Sequence, residues 1–364
     1  MSDGLLPQLG GGQSSNLLDL LNQSGARAVF KQTRSEIGYA DHVPFPFLAL
    51  VQQYEMRIAL LLSVINPSVG GVLLIGPRGT GKTTCVRSLT GILPDMEVID
   101  DDDEDAEAHW QSVKIIELPL NARLEEVVGG VNERIAVQQN RIKLEPGILA
   151  RADRNILYID EVNLLDDSIV DAILDAAAQG SYTVRRGAMS GTFSSRFVLV
   201  GSMNPEEGRL RPQIMDRFGL RVAVRGLMDV EARLQVYNRV KAYRQSPRAF
   251  AAEWADLTQD TRELVGAARM LLKETVLSED AQHVGLELVR ELELDSHRAE
   301  FTMFEAARAH AAADGRDMAD VSDVRAVAPL ALRQRGSQFM VDFFNRQAEE
   351  DEQIRTLLDD IAGR

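Results

Sequence analysis

The sequence predicts an α/β domain followed by a smaller helical domain, and two patterns carry this prediction. Between Gly71 and about Arg225, short apolar runs rich in branched residues alternate with segments of helical pattern. Such runs are typical of strands buried on both faces of a parallel sheet, and their spacing leaves room for crossover helices. After Gly226 the apolar residues recur at three- and four-residue spacing, which predicts helices. The 364 residues are enough for two or three domains.

Residues 1–40 are predicted to form a flexible segment. The run GGGQSS at 10–15 has the composition of a flexible linker. The leucines of Asn16–Asn22 repeat at a nearly helical spacing, which predicts a short amphipathic helix there. Ordered structure is expected to begin near Phe45, and a further helix is predicted over Glu55–Ile65.

The α/β domain is predicted over residues 41–225. Its expected strands are Val72–Ile75, Val113–Leu118, Ile156–Ile159, Phe197–Val200 and Val222–Val224. The helical domain is predicted over residues 226–345 and is expected to contain no strand. Its expected helices are Ala267–Val276, His283–Leu294, Thr302–Ala313 and Val321–Leu332. Residues 346–364 are predicted to form a C-terminal helix or a frayed tail.

The composition argues against several classes of protein. Lys and Arg number 40 and Asp and Glu number 55, so the formal net charge is −15. This charge argues against binding nucleic acid by bulk electrostatics and against docking on an anionic membrane. No apolar run approaches the roughly 18 residues of a membrane span, and no secretory signal is recognised. The single cysteine, Cys85, excludes a disulfide framework, so a cytoplasmic protein is expected.

An acidic run, DDDDED at Asp100–Asp105, is the one low-complexity stretch that stands out. Adjacent carboxylates repel one another and cannot be buried, so a solvated loop between two strands is predicted. A site for a divalent cation or for a basic partner is the alternative.

The first chemical signal is GPRGTGKT at 76–83, which fits the phosphate-binding pattern G-x-x-x-x-G-K-[ST]. A predicted strand precedes it and a helical segment follows it. Glycines let such a loop curl so that backbone N–H groups point at phosphate oxygens. Lys82 is expected to reach the β- and γ-phosphates, and the Thr83 hydroxyl to hold Mg²⁺. The residues expected to bind nucleotide here are Gly76, Pro77, Arg78, Gly79, Thr80, Gly81, Lys82, Thr83 and Thr84.

The second signal is a pair of carboxylates, Asp160 and Glu161, that directly follows the apolar run Ile156–Ile159. Ligands of parallel sheets gather at the carboxyl ends of the strands, where the glycine loop is also expected. We therefore predict that Asp160 coordinates Mg²⁺ and that Glu161 polarises the attacking water.

Two further residues allow two interpretations each. Asn204 follows the run Phe197–Val200 and is placed to bind the γ-phosphate or to orient the water, but Asn-Pro also favours an ordinary turn. Arg217 fits an arginine finger that inserts into a neighbouring subunit's ATP site. A surface salt bridge with Asp216 or another carboxylate is the alternative for Arg217.

Four motifs together closely resemble the I-subunit family of magnesium chelatase. They are Gly76–Thr83, NILYIDEVNLL at Asn155–Leu165, NPEEG at Asn204–Gly208 and LRPQIMDRFG at Leu210–Gly219. The resemblance runs from about Phe45 to Arg335. Members of this family are AAA+ ATPases that drive Mg²⁺ insertion into protoporphyrin IX for chlorophyll and bacteriochlorophyll synthesis. The resemblance implies a P-loop AAA+ parallel sheet flanked by helices, followed by a smaller all-helical lid domain.

The resemblance implies further roles. Arg217 matches the family's arginine finger, and Arg298 matches the second phosphate-sensing arginine at the start of a lid helix. Residues 121–154 resemble the family's helix insertion, and residues 181–193 resemble the hairpin before the sensor strand. The implied cofactors are ATP and Mg²⁺. The implied partners are a homo-oligomeric ring, commonly a hexamer, and the D and H subunits, in the cytoplasm or in a plastid stroma.

Some departures from the family pattern leave other functions open. The chain reads VQQY at 51–54 where the family usually reads V-G-Q-E. A MoxR-like AAA+ chaperone or the motor of a cobalt chelatase would share the same ATP site. A DNA-acting AAA+ protein is favoured only by Arg185 and Arg186 in the hairpin, and the net charge opposes it.

Overall fold

The computed structural model describes residues 16–23, 43–98, 109–131, 144–186, 189–208 and 210–336. Most of the N-terminal segment, the acidic run Asp100–Asp105 and residues 346–364 lie outside this part of the chain, so the expectations for them stay predictions. The short helix expected at Asn16–Asn22 is present as Leu17–Gln23, and its leucines Leu17 and Leu21 are buried.

A five-stranded sheet lies at the centre of the α/β part of the chain. Its strands, named in chain order, are β1 (Val72–Ile75), β2 (Ile115–Glu117), β3 (Ile156–Ile159), β4 (Val198–Met203) and β5 (Leu220–Ala223). Their spatial order is β5-β1-β4-β3-β2, and every neighbouring pair is parallel. The predicted parallel sheet flanked by helices is therefore confirmed, and the carboxyl ends of its strands meet at one edge.

Strand pairing explains where the observed bounds differ from the predicted ones. β1 and β3 have the predicted bounds. β4 continues three residues past Val200 because Met203 still pairs with Ile75 of β1. β5 begins at Leu220 because this residue pairs with Val72. Apolar runs alone cannot set these ends, since a buried strand continues for as long as its neighbour offers hydrogen bonds.

Two apolar layers cover the sheet, one on each face. Val72 and Leu74 belong to one buried cluster and Leu73 belongs to the other, because successive strand residues point to opposite faces. The helix Tyr54–Ile65 packs in the first layer, and the helix Asp167–Gln179 packs in the second. Burial of the strands on both faces is the reason for their nearly continuous apolar sequences.

The helix Tyr54–Ile65 begins after a left-handed turn. Gln52 and Gln53 have φ angles of 51° and 53°. The family pattern places a glycine at position 52, and glycine adopts this conformation more readily than glutamine does. The Gln53 side-chain amide donates a hydrogen bond to the carbonyl of Arg225 (2.8 Å). This bond ties the start of the helix to the chain that leaves β5.

The helix Pro212–Arg217 lies between β4 and β5. Helices dominate the described residues after β5, and they are Val230–Gln245, Pro247–Ala252, Ala255–Leu271, Glu279–Glu291, Arg298–Ala313 and Val321–Leu332. The sequence pattern missed Val230–Gln245 because it has no continuous apolar face. Its residues Val230, Leu234 and Tyr237 are exposed.

Two expectations for the helical part are wrong. The segment Ala267–Val276 is helical only to Leu271. Val276–Leu277 instead pairs in parallel with Met318–Ala319, so short strands do follow Gly226. A strand of two residues has no detectable periodicity, and its apolar residues were therefore counted as part of a helix face.

Within the described ranges, three antiparallel strand pairs lie outside the central sheet. They are Met96–Val98 with His109–Gln111, Gly129–Val131 with Leu144–Pro146, and Ser181–Arg186 with Met189–Ser194. The first pair flanks the acidic run. The last two fall within the ranges that the resemblance assigns to the helix insertion and the hairpin. Within the described part of the chain, no helix has both the length and the apolar character that a bilayer crossing requires.

Gly219 provides a test of how closely the edge of the sheet is packed. Its N–H donates to the carbonyl of Gly70 (3.0 Å), and a Cβ at this position would lie 1.8 Å from the carbonyl oxygen of Val69. We expect Gly219→Ala to lower the free energy of unfolding by about 1–3 kcal/mol or more, measured by urea denaturation. Gly226→Ala is the matched control, because nothing lies within 4 Å of its Cβ position. Equal stability losses in both variants would contradict this account.

Candidate functional site

The glycine loop begins where β1 ends. The N–H of Gly76 donates to the carbonyl of Met203 at the end of β4 (3.0 Å), and a Cβ on Gly76 would lie 2.1 Å from the carbonyl oxygen of Val224. Gly79 and Gly81 have φ angles of 77° and 87°, in the left-handed region that favours glycine. No atom of the described residues lies within 4 Å of a Cβ on either glycine. The first glycine therefore allows close backbone packing, and the other two let the loop curl around an open space.

Lys82 places its ammonium group inside this loop. It is the first residue of the helix Lys82–Ser88 and is 8% exposed. Its Nζ donates to the carbonyls of Gly76 (2.6 Å) and Pro77 (2.9 Å). Burial lowers the pKa of Lys82, and the nearby carboxylate of Asp160 opposes that change. The side chain thus brings a positive charge to the concave side of the loop.

Asp160 lies at the centre of a polar cluster at the carboxyl end of β3. Its Oδ2 accepts a hydrogen bond from the Thr83 hydroxyl (3.3 Å), and its Oδ1 accepts hydrogen bonds from the hydroxyls of Tyr158 (2.9 Å) and Ser202. The Tyr158 hydroxyl is also 3.2 Å from Thr83 Oγ1. Burial raises the pKa of Tyr158, so its hydroxyl keeps its proton and can donate. These contacts fix the carboxylate and the threonine hydroxyl beside each other.

Glu161 faces the glycine loop from an unusual backbone position. Its φ angle is 57°, and its N–H donates to Ser202 Oγ (3.2 Å). Its Oε1 accepts hydrogen bonds from Arg78 Nε (3.1 Å) and Nη2 (2.9 Å). The same Nε lies 2.6 Å from Glu207 Oε1. Arg78 therefore bridges two carboxylates that come from different strand ends.

Asn204 is buried at the end of β4, and its backbone forms the turn that was one of its two predicted arrangements. Its backbone carbonyl accepts the N–H of Glu207 (3.1 Å), as in a turn. Its side-chain Nδ2 donates to Glu207 Oε1 (2.9 Å), and its Oδ1 accepts the N–H of Glu206 (3.3 Å). The turn thus holds the amide side chain beside Arg78 and the glycine loop.

One cavity of about 290 Å³ brings most of the predicted site residues together. It is lined by the glycine loop and by the carboxyl ends of β3 and β4. The lining residues are Arg78, Gly79, Thr80, Gly81, Lys82, Thr83, Thr84, Asp160, Glu161, Ser202, Met203 and Asn204. Gly76 and Pro77 contribute the carbonyls that hold Lys82.

The residues around this cavity fit a magnesium–nucleotide complex. Thr83 and Asp160 supply hydroxyl and carboxylate oxygens, which are ligands that Mg²⁺ prefers. The open space around Gly79 and Gly81 leaves the loop accessible to phosphate oxygens, and the buried ammonium of Lys82 complements their charge.

Arg217 and Arg298 do not line this cavity. Arg217 ends the helix Pro212–Arg217, and its Nη1 lies 2.8 Å from Asp175 and 3.3 Å from Asp171. Arg298 is about half exposed, and its Nη1 lies 4.0 Å from Asp216. Within one chain, Arg217 therefore forms the surface salt bridges that were its alternative interpretation, although with different carboxylates from Asp216.

Asp216 connects the arginine-bearing helix to the lid. Its Oδ1 accepts from Arg335 Nη1 (2.8 Å), and its Oδ2 accepts from the Ser296 hydroxyl (3.0 Å). The Arg335 side chain is fully buried and also donates to the carbonyls of Ala331 (2.6 Å) and Gly219 (2.9 Å). The contacts with Ser296 and Arg335 therefore hold Asp216, the neighbour of Arg217, in a fixed position relative to the lid.

Tyr158, Ser202, Glu207 and Arg335 are not among the site residues that the sequence predicts. Ser202 carried a usable signal, because it is a polar residue in an apolar run that ends at the predicted site. Tyr158 reads as an ordinary apolar strand residue, and only the register of the sheet brings its hydroxyl to Asp160. Glu207 lies within the motif NPEEG, but its contact with Arg78 joins residues distant in the sequence. Arg335 likewise acts through a distant partner, Asp216, and a single sequence holds no signal for such pairs.

The comparisons with known proteins all point to the same family. The family model described as magnesium chelatase, subunit ChlI, matches residues 49–213, and an AAA lid domain model matches residues 286–357. The magnesium-chelatase 38 kDa subunit of Cereibacter sphaeroides is 42% identical over 307 residues, which are 80% of this chain and 92% of that protein. A magnesium-chelatase subunit ChlI homolog of Methanocaldococcus jannaschii is 40% identical over 310 residues, covering 80% and 85% of the two chains.

A chloroplast relative and a solved structure extend these matches. The chloroplastic magnesium-chelatase subunit ChlI of Chlamydomonas reinhardtii is 37% identical over 331 residues, covering 85% of this chain and 79% of that protein. A crystal structure of a protein from Cytophaga hutchinsonii has a TM-score of 0.55 at 21% identity, covering 79% of this chain and 83% of that one. At that identity the structural match supports the fold alone.

Arg335 provides a test of the link between the lid and the helix Pro212–Arg217. We expect Arg335→Met to lower the free energy of unfolding by about 1–3 kcal/mol, because the buried carbonyls of Ala331 and Gly219 lose their donor and Asp216 loses the nearer of its two buried arginine partners. Arg333→Met is the matched control: Arg333 pairs with Glu55 at the surface (2.9 Å), and such pairs contribute about 0–1 kcal/mol. Urea denaturation measures both. A loss below 1 kcal/mol for Arg335→Met would show that these contacts do not hold the lid.

Proposed function

The chain belongs to the magnesium-chelatase ChlI family, and from this membership we propose that it is the ATP-hydrolysing AAA+ motor subunit of a magnesium chelatase. One observation carries the proposal. The glycine loop, the Asp160–Glu161 pair and Asn204 surround a single cavity, in a chain 42% identical to a magnesium-chelatase subunit. The curated relatives do not favour a MoxR-like chaperone or a DNA-acting protein. The motor of a cobalt chelatase is the nearest alternative within the same chemistry.

The residues of the cavity supply complementary parts of ATP hydrolysis. The N–H groups of the glycine loop and the Lys82 ammonium bind the phosphates of the substrate. Thr83 and Asp160 would hold Mg²⁺, which neutralises phosphate charge when it is bound. Glu161 accepts a proton from the attacking water at its carboxylate, and Asn204 orients that water through its side-chain amide. Catalysis of this kind depends mainly on positioning and electrostatic stabilisation.

Arg217 acts, in this proposal, on the site of a neighbouring subunit in a ring, most simply a hexamer. It does not line the cavity of its own chain. Its contacts with Asp171 and Asp175 are exposed ion pairs, which contribute only about 0–1 kcal/mol and are readily exchanged. Arg298 is proposed to close on the nucleotide from the lid. Loss of the γ-phosphate would then change the contacts between lid and neighbour and alter the ring.

The proposed partners are a D subunit and a porphyrin-binding H subunit. Changes in the ring would reach the H subunit through the D subunit, and Mg²⁺ would enter protoporphyrin IX there. The net charge of −15 is consistent with a protein partner rather than nucleic acid. We propose a cytoplasmic location, or the plastid stroma in an organism with plastids.

Glu161→Gln tests the hydrolytic role. The amide keeps the size of the side chain and leaves the Asp160 ligand in place, but it cannot accept a proton from water. We expect ATP binding to persist while kcat falls by about 100-fold or more. In a porphyrin metallation assay with purified D and H subunits, the wild-type chain should support Mg²⁺ insertion and the variant should not.

Two results would contradict the proposal. Normal ATP turnover by Glu161→Gln would remove Glu161 from its assigned role. Mg²⁺ insertion that proceeds equally well without this chain would remove the chelatase function. Insertion of Co²⁺ but not of Mg²⁺ would instead favour the cobalt alternative.

A mixing experiment tests whether Arg217 acts across an interface. Arg217→Ala and Lys82→Ala chains should each have very low ATPase activity. Mixed in equal amounts, they should recover about a quarter of the wild-type rate, because random assembly places an intact loop beside an intact finger at that fraction of interfaces. Mixing Arg217→Ala with the double variant Lys82→Ala/Arg217→Ala is the control and should recover nothing. No recovery at any ratio of the first pair would contradict action between subunits.

A further inference from the structure

Arg78 connects Glu161 to a second carboxylate that no motif assigned to the site. Its Nε lies 2.6 Å from Glu207 Oε1 and 3.1 Å from Glu161 Oε1, so both acids compete for the same N–H group. Its Nη2 donates to Glu161 Oε1 (2.9 Å). These carboxylates raise the pKa of the Arg78 guanidinium, chiefly through its hydrogen bond to Glu161. Arg78 is thus shared unequally between two anions.

This sharing bears directly on the role of Glu161. Both N–H groups of Arg78 bind Glu161 Oε1, which leaves Oε2 as the oxygen that can face water. The whole Glu161 carboxylate becomes available to water when Arg78 leaves Oε1. Arg78 is 69% exposed, so a second acceptor close by competes with water for the guanidinium when it leaves Glu161.

Glu207 has the geometry of that acceptor. Its Oε1 is held by Asn204 Nδ2 (2.9 Å), so the carboxylate has a defined position. Its Oε2 is buried and has no hydrogen-bond partner within the described part of the chain. A buried carboxylate oxygen without a partner is unfavourable. If the guanidinium turned fully onto Glu207, that oxygen would gain an N–H donor and the pair would become bidentate, the stronger arrangement.

We propose that Glu207 is a positioning residue for ATP hydrolysis: it draws Arg78 away from Glu161 and so frees the Glu161 carboxylate to accept a proton from water. The inference rests on the proposed function, since it requires hydrolysis at this cavity. Glu207 is not among the residues that line the cavity, and in this proposal it acts through Arg78. Asn204 contributes by fixing the Glu207 carboxylate within reach of Arg78.

A double-mutant cycle between positions 78 and 207 tests the proposal. In Glu207→Gln, Arg78 stays on Glu161, so kcat for ATP should fall about tenfold while KM changes less than about threefold. In the Arg78→Gln background no guanidinium occupies Glu161. There the same Glu207→Gln change should alter kcat by less than about twofold, which is the limit for independent sites.

Binding measurements and a neighbouring carboxylate complete the experiment. Calorimetry with Mg·ATP should give dissociation constants for wild type and Glu207→Gln that differ by less than about threefold, since the phosphate-binding loop is unchanged. Glu206→Gln is the matched control, because Glu206 is exposed and does not contact Arg78 among the described residues; its kcat should match the wild type.

Two outcomes would overturn the inference alone. Equal losses of kcat from Glu207→Gln in both backgrounds would give Glu207 a merely structural role. Binding weakened more than about tenfold with kcat unchanged would give it a ground-state role instead. A wild-type chain that binds and hydrolyses no ATP would overturn the proposed function together with this inference.

Discussion

The site depends on the register of the parallel sheet. Ile75 of β1 pairs with Met203 of β4, and Gly201 of β4 pairs with Ile159 of β3. The residues that follow these strands therefore lie side by side at the carboxyl ends of the strands. The glycine loop, the carboxylates of Asp160 and Glu161 and the buried amide of Asn204 meet there. A slip of one residue would turn each strand's buried residues to the opposite face. The two apolar layers thus fix the chemistry as well as the fold.

Charge balance explains how so many ionised groups coexist in a small volume. Lys82 and Arg78 provide two positive charges beside the carboxylates of Asp160, Glu161 and Glu207. Burial alone lowers the pKa of Lys82, and these carboxylates counteract it. Each carboxylate also has its own donors from hydroxyl, amide or guanidinium groups. The site is therefore preorganised to take up phosphate charge by exchanging ion pairs, with little change in backbone structure.

The sequence predicted what depends on local patterns. The fold class, the bounds of β1 and β3, and the residues of the glycine loop all follow from short apolar runs and one motif. The strand Val276–Leu277 and the helix Val230–Gln245 were missed because their residues show no periodicity. The contacts of Glu207 with Arg78 and of Arg335 with Asp216 join residues more than a hundred positions apart, and such contacts exist only once the chain has folded. The residues that meet at the cavity were therefore largely predictable, whereas the side chains that position them were not.

Asp216 and Arg217 are adjacent in the helix Pro212–Arg217, but one side chain is held firmly and the other is not. This difference favours coupling between subunits. Asp216 is held by the buried Arg335 and by Ser296, so the helix end moves with the lid. Among the described residues, Arg217, the next residue, pairs with the exposed carboxylates of Asp171 and Asp175, and the small free energy of such pairs allows exchange for a stronger partner. The Arg217 guanidinium can therefore change partners, whereas the helix end that bears it moves with the lid. If Arg217 binds a neighbour's phosphate, as proposed, a movement of the lid in one subunit displaces the Arg217 guanidinium in the site of the next subunit. Hydrolysis at one site then affects the next site without any change in the sheet.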